Sequence, residues 1–174
     1  MARNEFEGEV GKFLKAKFPI AERLDDVAFN RESGRQVSKK PWDFYGASWR
    51  GKFWAAEAKR VKSPRFPVDS FRPHQHESLA RLEGLGVYAW VFINWRIGES
   101  RDTGIAIWVP YSLYMETEKE VTDDGRRSIK ATDFTEYWRL SRVTGGWDVP
   151  KEHAFFIVSE KPENGDNGNH LRVG

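Results

Sequence analysis

The 174-residue sequence contains no cysteine. Disulfides, thiolate zinc sites and cysteine nucleophiles are therefore excluded, and the composition fits a reducing cytoplasm. Also missing is any apolar run near the roughly 18 residues of a membrane span, so no membrane partner is expected. The start, Met1-Ala2-Arg3-Asn4-Glu5, leads into a charged amphipathic stretch instead of an apolar signal core. Secretion is not expected, and a cytoplasmic location is. No internal repeat is visible. Net charge is nearly absent, at +2. With 39% apolar and 31% charged residues, the balance is that of a soluble globular chain long enough for one domain with a real core.

Charge is scarce in total but unevenly spread. Residues 31–72 hold eleven Lys or Arg against four acids. That local excess points to a surface facing a polyanion. A solvated basic face without a partner is the alternative.

The order of elements reads helix, strands, helix, strands. Phe6, Val10, Phe13, Leu14 and Phe18 recur at helical spacing, and Pro19 stops the run. Val27-Ala28-Phe29 is a short extended candidate, and residues 30–41 read as a basic loop or hairpin. Residues 42–46 and 52–59 read as two strands joined by a turn at Arg50-Gly51. Residues 74–85 carry Leu79, Leu82 and Leu85 as an apolar stripe, with Gly86 as the stop. The continuous apolar run 87–93 predicts a buried central strand, and 104–109 another ended by Pro110. Residues 111–119 predict a short helix, 116–124 an acidic solvent-facing stretch, and 154–158 a late strand. Trp138 and Trp147 read as core. The expected fold class is α/β, a mixed central sheet flanked by helices.

The pattern that carries chemistry is Asp43, thirteen residues, then Glu57-Ala58-Lys59. Residues two apart on a strand point to one face, so Glu57 and Lys59 share a side. Ionisable groups gathered on a largely apolar strand are costly unless they pair or hold a cation. Two carboxylates suit Mg²⁺, which takes oxygen ligands and keeps several waters. A lysine beside them can orient a water or neutralise charge developing on a phosphate. An Asp-Lys-Glu cluster on a surface hairpin is the competing reading of these residues alone.

This set resembles the PD-(D/E)XK nuclease superfamily. Pro41 to Gly46 and Gly51 to Lys59 are similar to the two catalytic strands of the RecU family of Holliday junction resolvases. Arg65-Phe66-Pro67-Val68 followed by Pro73-His74-Gln75, and Gly125-Arg126-Arg127-Ser128-Ile129-Lys130, resemble further segments of that family in its order, over residues 5 to about 137.

The resemblance implies a restriction-endonuclease-like core with a short basic protrusion between the first strand and the catalytic hairpin. The nuclease domain is expected over 1–159, and residues 160–174, mostly Pro, Asn, Asp and Gly with few apolar residues, read as a flexible tail. The resemblance also implies that Asp43, Glu57 and the Ala58 carbonyl hold Mg²⁺, with Mn²⁺ a possible substitute. Lys59, Gln75 and Glu7 complete the catalytic set, with Glu9 competing for the place of Glu7. Arg31, Arg35, Lys39, Lys40, Lys62, Arg65, Arg72 and His74 are the candidate DNA contacts.

The implied activity is a metal-dependent endonuclease of DNA recombination and repair. It would resolve four-way junctions by paired symmetric nicks as a homodimer. The protrusion, near residues 27–41, is shorter than in the family pattern. That keeps two alternatives open: an endonuclease of the same superfamily acting on forked, flapped or duplex DNA, and a catalytically inert DNA-binding relative.

Overall fold

The computed structural model describes residues 5–24, 40–96, 104–135, 137–143 and 146–149. The extended candidate 27–29, the basic protrusion with Arg31, Arg35 and Lys39, the late strand 154–158 and the tail 160–174 lie outside the described residues.

The chain opens with helix α1 (Glu5–Lys17). Glu5 and Glu7 in its first turn and Lys15 and Lys17 in its last complement the helix dipole. A short strand β1 (Ile20–Arg23) follows, then β2 (Phe44–Ala47) and β3 (Phe53–Val61). β2 and β3 form an antiparallel hairpin, Phe44 opposite Ala56 and Ala47 opposite Phe53. Gly51 in its turn has φ +74°, a value that favours glycine. Gly46 serves a different need. A Cβ there would land on the carbonyl of Ile20 and the ring of Trp54, so only a hydrogen lets β1 pair against β2.

Strand β4 (Phe66–Pro67) is followed by a 3₁₀ turn at Val68–Ser70 and helix α2 (Pro73–Gly84). α2 carries the chain back, so that β5 (Tyr88–Arg96) lies parallel to β3. β6 (Gly104–Pro110) returns antiparallel to β5. Helix α3 (Tyr111–Asp123), β7 (Ser128–Ile129), β8 (Trp138–Val143) and β9 (Gly146–Asp148) complete the order. The main sheet has seven strands in the order β1-β2-β3-β5-β6-β8-β9, while β4 and β7 pair apart from it. This is the expected mixed sheet flanked by helices, with the β2–β3 hairpin next to the parallel crossover.

Alternation along the strands sorts side chains to two faces. Trp54, Ala56 and Ala58 of β3, Trp90 and Phe92 of β5, and Ala106 and Trp108 of β6 pack with Phe6, Val10, Phe13 and Leu14 of α1. Val91, Ile93 and Trp95 of β5 and Ile107 and Val109 of β6 pack on the other side with Leu79 of α2 and Tyr111, Tyr114 and Val121 of α3.

Several expectations need correction. β1 was not expected, because it has four residues and buries only the small Ala21. The stripe on α2 narrows to Leu79, since Leu85 lies past the helix end and is 71% exposed. α3 runs four residues beyond the expected stop, and within its acidic stretch Thr117 and Val121 are buried. Trp147 is core and Trp138 packs against it, as expected.

Candidate active site on the α2 face of the sheet

With Trp54, Ala56 and Ala58 turned toward α1, the alternate residues Glu57 and Lys59 must point to the α2 side. In register they sit beside Val91 and Ile93 of β5, on a strand buried along most of its length. Glu57 is only 2% exposed. A carboxylate there needs partners. Lys59 Nζ lies 2.8 Å from Glu57 Oε1, and Gln75 Nε2 donates to the same oxygen at 2.5 Å.

Gln75 comes from the first turn of α2 and is itself buried. Its Oε1 accepts from Lys59 Nζ at 2.9 Å and from the backbone N–H of Arg72 at 3.1 Å. The amide is therefore fixed at both ends, and it ties the start of α2 to the charged pair. The Lys59 ammonium also lies 4.9 Å from the centre of the Phe71 ring, a favourable cation–π placement.

Asp43 enters from the start of β2. Its backbone N–H donates to the Ala56 carbonyl, and its own carbonyl accepts from Leu24. Its side chain continues the ladder: Oδ2 accepts from the Ala58 N–H at 2.9 Å. Oδ1 lies 2.6 Å from Lys40 Nζ. A strand residue sends its N–H and C=O to the same side. The carbonyl of Ala58 therefore leaves β3 toward the edge where Asp43 sits, beyond the last β2 pairing.

These residues fit a divalent ion on one structural ground in particular. Glu57 Oε2 is buried with no hydrogen-bond partner. An orphaned carboxylate oxygen is costly, and a cation would satisfy it. Burial first, and then the nearby Asp43 charge, push the Glu57 carboxyl up to about 7, while Lys59 and Lys40 pull against the shift. A bound dication would reverse the shift and hold the carboxylate ionised. Among the described residues no cluster of three or more acidic, histidine or cysteine side chains is present. The ligand set would be Asp43, Glu57 and the Ala58 carbonyl completed by waters, as suits Mg²⁺.

The other expected residues fall in distinct places. Glu7 has a basic partner of its own. It lies on α1, which covers the opposite face, and pairs with Arg23 of β1 at 2.6 Å. Glu9 accepts from Arg142 and from Trp147 Nε1, each at 2.8 Å. Those two hydrogen bonds lower its carboxyl against the upward push of burial, and they join α1 to β8 and β9.

Lys62 and Arg65 are exposed on the connection after β3, and Arg72 is exposed at the start of α2. His74 turns inward, its Nε2 donating to the Lys40 carbonyl at 3.1 Å. His76 bonds the Tyr111 hydroxyl at 3.0 Å. Burial, aided by Lys59, lowers the His76 pKa, so the ring stays neutral at pH 7 and bridges α2 to α3.

Two contributors escaped the sequence reading in their roles. Lys40, a candidate DNA contact, pairs here with Asp43, a contact that its spacing of three from Asp43 permits. Phe71, under Lys59, gave no sequence signal apart from apolarity. Among the described residues no helix is long and apolar enough to cross a membrane.

Comparison with known proteins completes the description. The family model RecU, described as recombination protein U, matches residues 15–150. No curated protein matches the chain. Among solved structures, that of Archaeoglobus fulgidus Hjc, a Holliday junction resolvase from an archaeal hyperthermophile, is similar at 19% identity and a TM-score of 0.45. It covers 76% of this chain and 91% of that one.

Proposed function

As the chain belongs to the RecU (recombination protein U) family, we propose that it is a divalent-metal-dependent endonuclease that resolves four-way DNA junctions. The observation that carries this reading is the convergence of Lys59 and Gln75 on Glu57 Oε1, with the Asp43 charge nearby and Glu57 Oε2 left buried without a hydrogen-bond partner.

Asp43, Glu57 and the Ala58 carbonyl would hold the ion. When bound, Mg²⁺ supplies Lewis-acid stabilisation of phosphate charge and acidifies a coordinated water. Lys59, presented by Gln75 and Phe71, stands where negative charge develops on the scissile phosphate and stabilises it. Gln75 fixes the Lys59 ammonium against Glu57, so the donor is pre-aimed and little reorganisation is needed during the reaction. In-line hydrolysis then leaves a 5′-phosphate and a 3′-hydroxyl. Lys62, Arg65 and Arg72 hold the sugar-phosphate chain by charge, which reads backbone position and not sequence.

Resolution of a junction takes two symmetric nicks. Two sites related by a two-fold axis supply them, so the working unit is a homodimer. The test is a cleavage panel with Mg²⁺ on a four-way junction, a forked duplex and a linear duplex of equal length. Paired nicks in the junction with little cutting of the linear duplex are expected. Equal rates on all three would replace the resolvase reading with that of a general duplex nuclease. No cleavage with either Mg²⁺ or Mn²⁺ would favour a DNA-binding role.

A further inference from the structure

Asp43 is the more completely occupied of the two carboxylates. Its backbone is fixed on both sides, by Ala56 and by Leu24, and its Oδ2 is taken by the Ala58 N–H. The oxygen that carries no backbone N–H is Oδ1, the more open one for a metal, and it holds the Lys40 ammonium at 2.6 Å. The Lys40 side chain is 14% exposed, so the contact is shielded from bulk water. Its main chain is anchored as well, by His74 Nε2 on its carbonyl. Only the Lys40 side chain can yield.

We infer that Lys40 is a positioning residue that reserves the metal ligand Asp43 until DNA arrives. An ammonium and a divalent cation cannot share one carboxylate oxygen without strong repulsion in a partly buried site. An ion on Oδ1 therefore displaces Lys40 Nζ. A phosphate at the mouth of the site offers that ammonium a new partner of the same charge type as the carboxylate it leaves. DNA binding and metal binding then favour each other, because each removes the same obstacle. The anchored backbone keeps the displaced side chain within reach of the site, where it joins Lys62, Arg65 and Arg72 on the phosphates.

This inference rests on Asp43 being a metal ligand, and the experiment separates the two ideas. Mg²⁺ is titrated calorimetrically into the full chain without DNA, for wild type, Lys40→Gln, Lys40→Arg and Asp43→Asn, with circular dichroism confirming the fold of each. Lys40→Gln is expected to bind Mg²⁺ about tenfold more tightly than wild type, because the competing charge is gone. Lys40→Arg should restore the weaker binding, and Asp43→Asn should lose it.

By reciprocity, Ca²⁺ should tighten binding of a labelled four-way junction, read by anisotropy, more in wild type than in Lys40→Gln, again by about tenfold. Lys40→Gln affinity equal to wild type, with Asp43→Asn still defective, would overturn the reserve role and leave the metal site standing. Asp43→Asn binding Mg²⁺ as well as wild type would overturn the metal site and this inference with it.

Discussion

The two faces of the central sheet use the same strands for opposite purposes. On the α1 side, Trp54 stacks on Trp90 at 5.4 Å between ring centres, and Trp108 meets Trp90 edge-on at 4.8 Å. Charges on that side, such as Glu9 with Arg142, are held at the margins. On the α2 side, the residues of β3 that alternate with those aromatic and alanine positions are Ala55, Glu57 and Lys59. A strand's two-residue period makes this division possible: β3 anchors the core with one set of side chains and presents a charged pair with the other. Stability and chemistry are thereby separated within nine residues.

The comparison can be broken from the stability side first. Trp108→Ala should lower the unfolding free energy by about 3–5 kcal/mol, the range for large aromatic truncations in a core. Cleavage per folded molecule should be unchanged below the new melting temperature. Denaturant melts and single-turnover cleavage on the same samples measure both. Loss of cleavage in proportion to no loss of fold would show that the faces are coupled.

From the chemical side, Lys59→Met should lower single-turnover cleavage by roughly a hundredfold to a thousandfold, as for loss of a preorganised charge-stabilising donor. The far-ultraviolet spectrum should not change. A drop in junction affinity with an unaltered cleavage rate would reassign Lys59 to binding alone.

A smaller effect sharpens what makes Glu57 special on its own face. Glu118 of α3 also has a buried carboxylate oxygen without a hydrogen-bond partner. Burial raises its carboxyl above the ordinary range, opposed by the Tyr114 hydroxyl. A raised carboxyl favours the folded state below the unfolded pKa of about 4.5, and that advantage fades as pH rises through the folded pKa. Glu118→Gln should therefore raise the melting temperature at pH 8, show little gain at pH 4, and leave cleavage intact. Destabilisation at pH 8 would show that Glu118 holds an interaction of its own.

The smallest effect concerns the rim. Lys62→Gln and Arg65→Gln should each reduce the salt dependence of junction binding by about one counterion, without altering the cleavage rate of bound DNA. Affinity measured across a salt series checks this.

How much of this could be read from the residues depends on the range of the interactions involved. The Glu57-Ala58-Lys59 pairing was legible because strand alternation is local, and Gln75 because a known motif carried it. α1 and β5 were legible from apolar spacing. β1 was not, since its pairing depends on Gly46 admitting it 26 residues later in the chain. The β4–β7 ladder joins Phe66 to Ile129, two short segments that carry no periodicity alone. The pairing of Glu7 with Arg23 was not legible either: a helix position says nothing about which face of a sheet the helix covers, and that choice is made by Phe6, Val10 and Phe13 packing on the tryptophans.

The most direct measurement is single-turnover cleavage of a four-way junction in Mg²⁺ by wild type and Asp43→Asn, with junction affinity determined in parallel. The account expects the variant to keep its grip on the junction and to lose at least about three orders of magnitude in strand scission. Scission persisting at the wild-type rate would contradict it.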